Sequence, residues 1–242
     1  MLRALTPLLL SCVVLAATVA SAQTRALSEA QWREDIAAAV AAIRDNHPRP
    51  FRALTEQEFA ARLAQLDQDL PTLSDKGAAL RLAALVSLIE DGHTRLSLPR
   101  AVPALEFNPS HGSPNAAAHE ALTFATLPFR LRVLDDGLFI VAAAREYRQH
   151  IGAEVVAFGE THAAAAVVAT RGLLHAENDY SARLLAADRL ALPAVLEHLQ
   201  LIEDPSRVAL TLARDGKTQT ITIKPLGPGA EVEIVGPTFP SA

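Results

Sequence analysis

The hydrophobic pattern of the first third of the chain predicts three consecutive α-helices. In the first two stretches apolar residues recur at intervals of three and four, which places them along one face of a helix. Ser28, Thr55 and Ser74 precede the stretches as N-cap residues, and a Gln or Glu three residues after the first two completes a capping box. The apolar positions are Trp32, Ile36, Val40 and Ile43, then Phe59, Leu63, Leu66 and Leu70, then Leu80, Leu85, Leu88 and Ile89. We therefore expect a three-helix bundle.

From residue 127 onward the pattern changes to the period of two that is typical of strands. Apolar residues alternate with arginines over residues 127–133, Asp135-Asp136-Gly137 supplies a turn, and an apolar run over 138–142 follows. This arrangement predicts a β-hairpin. The remaining predicted elements are a strand over 152–159, helices over 163–174 and 180–201, and a hairpin that turns at Asp215-Gly216. The second half is thus predicted to be a mixed sheet with helices, and the whole chain an α+β fold.

The two patterned halves are separated by a stretch without any apolar period. Residues 101–123 carry several prolines among Asn, Ser, Ala and His, a composition typical of a long loop or linker. We therefore divide the mature chain into a helical N-terminal domain over residues 23–100, a Pro-rich linker over 101–123, a sheet-containing domain over 124–226 and a tail over 227–242.

The first 22 residues have the pattern of a secretory signal peptide. Met1-Leu2-Arg3 is a short basic start, residues 8–19 are apolar, and Ala20-Ser21-Ala22 is a small-residue cleavage site. We expect cleavage after Ala22 and a periplasmic or secreted protein. A lipoprotein pattern at Leu9-Leu10-Ser11-Cys12 is the alternative, but it fits less well because the apolar run continues past Cys12.

Composition excludes several classes of function. The chain of 242 residues has a formal net charge of -5 and no cluster of Lys or Arg, so nucleic acid is not expected as a partner. The single cysteine, Cys12, lies in the predicted signal peptide, so no disulfide and no thiol nucleophile are expected in the mature protein. No transmembrane span is expected after the signal peptide.

His93 is the leading candidate for a functional side chain. It follows Asp91-Gly92, where the third helix is predicted to end with glycine in the left-handed conformation, and it precedes an alternating stretch over 94–98 that predicts a short strand. A histidine at such a junction can be presented to a neighbouring domain as a general base. The alternative is a structural histidine bonded to nearby carbonyls. Asp91 is interpreted as a turn acid and His47 as a residue that fixes a turn.

Several short motifs, in their order and spacing, resemble a known family. They are Trp32-x-x-Asp35, Asn46-His47-Pro48-x-Pro50-Phe51, Glu90-Asp91-Gly92-His93-Thr94-x-Leu96, Leu127-Pro128-Phe129-Arg130, Asp136-Gly137-Leu138, Ile151-Gly152-Ala153-x-Val155-Val156-x-x-x-Gly159 and Glu177-Asn178-x-Tyr180-Ser181. Together they are similar to the N-terminal half of exported serine peptidases of the C-terminal-processing and tricorn-like family. The resemblance implies a helical segment, then a PDZ-like domain with a helical insertion over residues 124–226, and then a larger catalytic core.

The resemblance implies that His93 corresponds to the catalytic histidine, which takes the proton of a serine supplied by the later core. The chain departs from the family at Gly92, where tricorn-like members carry an assisting serine. It also ends before any such core, and Ser110-His111-Gly112-Ser113 lies in a Pro-rich loop without the strand-turn-helix context of a nucleophile. We therefore expect a fragment or an inactive remnant whose partner is the missing catalytic core domain.

The second class of function is a non-catalytic periplasmic peptide-binding protein. A PDZ-like domain captures an extended peptide or a protein C-terminus by adding it as a strand to a sheet edge. Neither class requires a cofactor. The histidines show no HExxH or similar spacing, so no metal site is predicted from the sequence.

Overall fold

The computed structural model describes residues 26–105 and 122–237. Within these ranges the chain forms six α-helices and seven strands of an α+β fold, which confirms the predicted class. The helices are α1 (Glu29–Asn46), α2 (Glu56–Asp69), α3 (Asp75–Ser87), α4 (Ala163–Ala169), α5 (Asp179–Leu190) and α6 (Pro193–His198). The strands are β1 (Phe129–Leu134), β2 (Gly137–Ala144), β3 (Glu154–Phe158), β4 (Thr161–His162), β5 (Val208–Arg214), β6 (Lys217–Ile223) and β7 (Ile234–Val235).

Three predicted stretches fall wholly or partly outside the described residues. They are the signal peptide, most of the Pro-rich linker and the end of the tail. Over the described part of the chain, every helix is too short or too polar to cross a membrane.

The first three helices begin where the sequence predicts. Ser28 and Thr55 each accept a hydrogen bond from the backbone three residues later, and the side chains of Gln31 and Glu58 return the contact, so both capping boxes form. Ser74 caps α3 through its hydroxyl. The whole predicted apolar stripe of α1 is buried, and α2 and α3 pack against it to build one hydrophobic cluster.

A buried hydrogen bond joins the start of α1 to the start of α3. The indole Nε1 of Trp32 donates to Asp75 Oδ1 at 2.7 Å, and the Ala26 amide donates to the other oxygen of the same carboxylate at 2.6 Å. Trp32 and Asp75 are both buried. A buried carboxylate is tolerated when its oxygens are satisfied in this way, so this contact fixes the relative position of the two helix ends.

We expect Asp75→Ala to destabilise the protein by roughly 1–3 kcal/mol, because it leaves the buried indole N–H without its acceptor. The exposed acid Glu34 on α1 provides the matched control, and Glu34→Ala should change stability by less than about 0.5 kcal/mol. Denaturant unfolding of the three proteins measures both values. Equal stability of wild type and Asp75→Ala would contradict this role.

The sheet is built from two hairpins and a central strand. Its order is β1-β2-β3-β5-β6, while β4 pairs with β3 and β7 pairs with β2. Both predicted hairpins are present, with their turns between Leu134 and Gly137 and between Arg214 and Lys217. Every pair of these strands is antiparallel, so the prediction of a mixed sheet is wrong. Strands joined by tight turns, as in the two hairpins, can pair only in this direction.

Helix α6 lies between the helical cluster and the sheet. Val195 packs in the hydrophobic cluster built by α1 to α3, whereas Leu196 packs in the cluster beneath the sheet. Polar contacts also cross between the halves, since the Ser87 hydroxyl donates to the carbonyl of Gly172 at 2.8 Å. The division into separately folding domains stays a prediction.

The segment after α3 differs from its prediction. Helix α3 ends at Ser87, and hydrogen bonds of the i to i+3 type tighten the next turn up to Glu90. Glu90, rather than Gly92, takes the left-handed conformation, with φ of 50°. Residues 94–98 are not a strand, because none of the described strands pairs with them. An alternating pattern without a neighbouring strand leaves the backbone irregular, and this region forms a loop that projects His93.

Candidate functional site

Three segments of the chain meet at the candidate site, one of which is the loop over residues 90–94. His47 lies at the C-terminus of α1, Asp91 and His93 lie in the loop that follows α3, and Glu177 directly precedes Asn178, the N-cap of α5. The four side chains form a series in which successive members, in the order His47, Asp91, His93 and Glu177, are 2.9, 3.5 and 3.9 Å apart. Helices from both halves of the chain therefore position the candidate site.

Asp91 holds the loop together. Its Oδ1 accepts a hydrogen bond from the His93 amide at 3.0 Å, and its Oδ2 accepts one from the Thr94 hydroxyl at 2.9 Å. His47 Nε2 lies 2.9 Å from the same Oδ2. The pKa of Asp91 falls to about 2, chiefly because the His93 amide donates to the charged form; partial burial opposes this, and the Thr94 and His47 contacts lower it further. Asp91 is therefore a turn acid, as the sequence indicates, and also the common partner of two histidines.

His47 supports Asp91 from the interior side. Its side chain is 15% exposed, and its Nδ1 accepts the Arg49 amide at 3.1 Å. In the neutral ring the proton is then on Nε2, which donates it to Asp91. His47 thus fixes the turn after α1 and orients the carboxylate that supports the loop.

His93 is presented to solvent from this fixed backbone. Its side chain is 95% exposed, with Nδ1 3.5 Å from Asp91 Oδ1 and 3.9 Å from Glu177 Oε1. The two carboxylates favour a proton on Nδ1. The outward Nε2 is then left as an acceptor, which is the arrangement that general-base chemistry requires.

Glu177 approaches the loop because residue 92 is glycine. The Gly92 amide donates to Glu177 Oε1 at 3.0 Å, and a Cβ atom at residue 92 would lie 3.1 Å from the same oxygen. Such a contact is tighter than side chains normally adopt. A larger residue at position 92, including the serine of the tricorn-like pattern, would require the Glu177 carboxylate to shift by a few tenths of an ångström.

The sequence predicts one member of this group as functional, but it does not predict that the four side chains lie together. His93 is the predicted candidate, whereas His47 and Asp91 are predicted only as turn residues. Glu177 appears in the sequence only inside a family-like motif, and nothing in its spacing from residue 93 indicates contact. The Ser110-His111-Gly112-Ser113 stretch lies outside the described residues.

Neither the models of known protein families nor the curated proteins match this chain.

The Asp91 contacts predict a dependence of stability on pH. Because the folded pKa of Asp91 is below the unfolded value, its stabilisation is present above pH 4 and is lost as pH falls toward 2. The shift corresponds to about 2 kcal/mol, roughly half of which should be lost between pH 5 and pH 3. Denaturant unfolding of wild type and Asp91→Asn at both pH values isolates the contribution of the Asp91 carboxylate to stability. A stability difference between the two proteins that does not change with pH would contradict the assignment.

Truncation of the two histidines should change stability by different amounts. His93→Ala should change the free energy of unfolding by less than about 0.5 kcal/mol, because the ring is exposed and only its backbone is held. His47→Ala should cost roughly 1–3 kcal/mol, because it removes a partly buried donor from Asp91. Denaturant unfolding compares them directly, and a loss near the upper figure for His93→Ala would make His93 a structural residue.

Proposed function

We propose that this chain is an exported protein of the C-terminal-processing and tricorn-like serine peptidase family, in which His93 is the general base for a serine outside the described residues. The observation that carries the proposal is an almost fully exposed imidazole on a backbone that Asp91 holds in place. A structural histidine at a helix end is expected to bury its ring against carbonyls instead.

The electrostatics around His93 support a base that takes a proton during reaction. When a serine transfers its proton to Nε2, the ring becomes a cation, and the carboxylates beside Nδ1 stabilise that cation. Asp91 is suited to this role because its low pKa keeps it ionised at neutral pH. Among the described residues, no serine hydroxyl hydrogen-bonds to the His93 ring. The nucleophile is therefore assigned to another part of the protein or to a separate core domain.

The second half of the chain is proposed to be a PDZ-like domain with a helical insertion. Its support is an antiparallel sheet in which helices α4 to α6 are inserted between β4 and β5. The expected export, with cleavage after Ala22, belongs to the same proposal.

The proposal is tested by joining a family catalytic core that carries the serine after Ala242 and assaying peptide hydrolysis. His93→Gln keeps the size and polarity of the side chain but removes the base, so kcat/KM should fall by about 10²–10⁴. His162→Asn is the matched control, because it changes an exposed histidine and keeps an acceptor for the N-cap of α4. Equal activity of wild type and His93→Gln would contradict the role of His93.

The same reasoning predicts that the chain of residues 23–242 alone does not react with a fluorophosphonate probe, because a base without its serine provides no activated hydroxyl. Stoichiometric labelling of one serine would mean that the nucleophile lies within the chain. Hydrolysis would then no longer require an added core.

A non-catalytic peptide-binding protein is the second candidate function. Strand β6 pairs fully with β5 along its length, and its outer edge meets no other described strand. A free edge of this kind can accept an extended peptide or a protein C-terminus as an additional strand. Fluorescence polarisation with labelled C-terminal peptides measures such binding. Saturable binding by a chain that does not cleave the peptides, even with the core joined, would favour this function over the first.

A further inference from the structure

We propose that Asp91, His93 and Glu177 also form a binding site for a divalent transition metal, with zinc as the best-fitting ion. The three candidate ligand atoms, one from each side chain, all lie within 4.8 Å of one another. The sequence shows no recognised metal motif, because the third residue is contributed by the loop before α5, 84 positions after His93.

Two of the three ligand distances, both from the His93 ring, are close to those of tetrahedral coordination, and the third pair, Asp91 with Glu177, lies within 4.8 Å. Zinc binds imidazole nitrogen and carboxylate oxygen at about 2.0–2.2 Å, so neighbouring ligands around a tetrahedral ion lie about 3.3–3.6 Å apart. His93 Nδ1 lies 3.5 Å from Asp91 Oδ1 and 3.9 Å from Glu177 Oε1. The first distance already matches, and the second requires a movement of a few tenths of an ångström by the half-exposed Glu177 side chain.

The ligand types also fit. One imidazole and two carboxylates are ligands that zinc and its neighbours in the first transition row accept, and their two negative charges balance a divalent cation. Because His93 is almost fully exposed, the fourth position faces solvent and can hold a water molecule. Three protein ligands with one open position are characteristic of zinc sites that bind water or substrate.

Neighbouring groups already orient the two carboxylates. His47 and Thr94 bind Asp91 through Oδ2, which turns Oδ1 toward His93. The Gly92 amide donates to Glu177 Oε1 and so keeps this oxygen near the His93 ring. Each oxygen keeps a second lone pair for a metal ion. Supporting hydrogen bonds of this kind are what hold metal ligands in position, and their loss typically lowers metal affinity by about 10–100-fold.

Metal binding at this site would regulate the proposed base. A metal on Nδ1 leaves the ring proton on Nε2, so the outward nitrogen could no longer accept a proton from a serine. This consequence depends on the proposed peptidase function. Metal binding itself does not depend on it, because it is measured on the chain alone.

The test is isothermal titration calorimetry of ZnCl₂ into the tag-free chain after chelator treatment. We expect one equivalent to bind, at least about tenfold weaker binding by Glu177→Gln and by the positioning variant His47→Gln, and no binding at this site by His93→Ala. Glu160→Gln and His162→Asn alter an exposed acid and an exposed histidine elsewhere and should bind as wild type does. Circular dichroism confirms that each variant is folded.

Cobalt provides a readout of geometry. Co²⁺ bound by wild type should give the intense visible absorption of a tetrahedral ion, which zinc should remove and magnesium, which prefers octahedral oxygen ligands, should not. Two results would overturn the site: no zinc binding by wild type, or binding that His93→Ala and Glu177→Gln leave unchanged. Neither result would affect the peptidase assay, so the two proposals fail separately.

Discussion

The candidate site depends on one carboxylate, that of Asp91. Its two oxygens connect the loop after α3 to itself, through the His93 amide and the Thr94 hydroxyl, and to the end of α1, through His47. Residues 94–98 join none of the described strands, so side-chain contacts rather than strand pairing fix this loop. The His93 backbone is fixed by these contacts, while its side chain is exposed to solvent.

The surrounding fold makes this arrangement available. His47 lies at the end of α1, and the loop follows α3. Glu177 lies in the segment before α5, in the sheet-containing half, and contacts the loop. The Trp32–Asp75 contact fixes the starts of α1 and α3, whereas the ends of both helices meet at the site. Packing of the two halves through α6 and the Ser87–Gly172 hydrogen bond keeps Glu177 beside Gly92.

The sequence predicts the elements better than it predicts the site. Capping residues, apolar stripes and two Asp-containing hairpin turns are local signals, so the helices and hairpins could be located from them. The sequence predicts the wrong conformation for residues 94–98, because that conformation depends on side-chain contacts and not on the alternation of apolar and polar residues. Glu177 could not be joined to His93, since contacts between residues far apart in sequence follow from tertiary packing that no local pattern records.

We propose that the outward nitrogen of His93 is a free proton acceptor, because two acids lie near the opposite nitrogen of the ring. A long-range ¹H–¹⁵N correlation spectrum of the metal-free chain, recorded at alkaline pH where neutral rings dominate, reports which nitrogen carries the proton. We expect opposite tautomers, with the proton on Nδ1 of His93 and on Nε2 of His47. A proton on Nε2 of His93 would contradict the account, because no base would then face the surface.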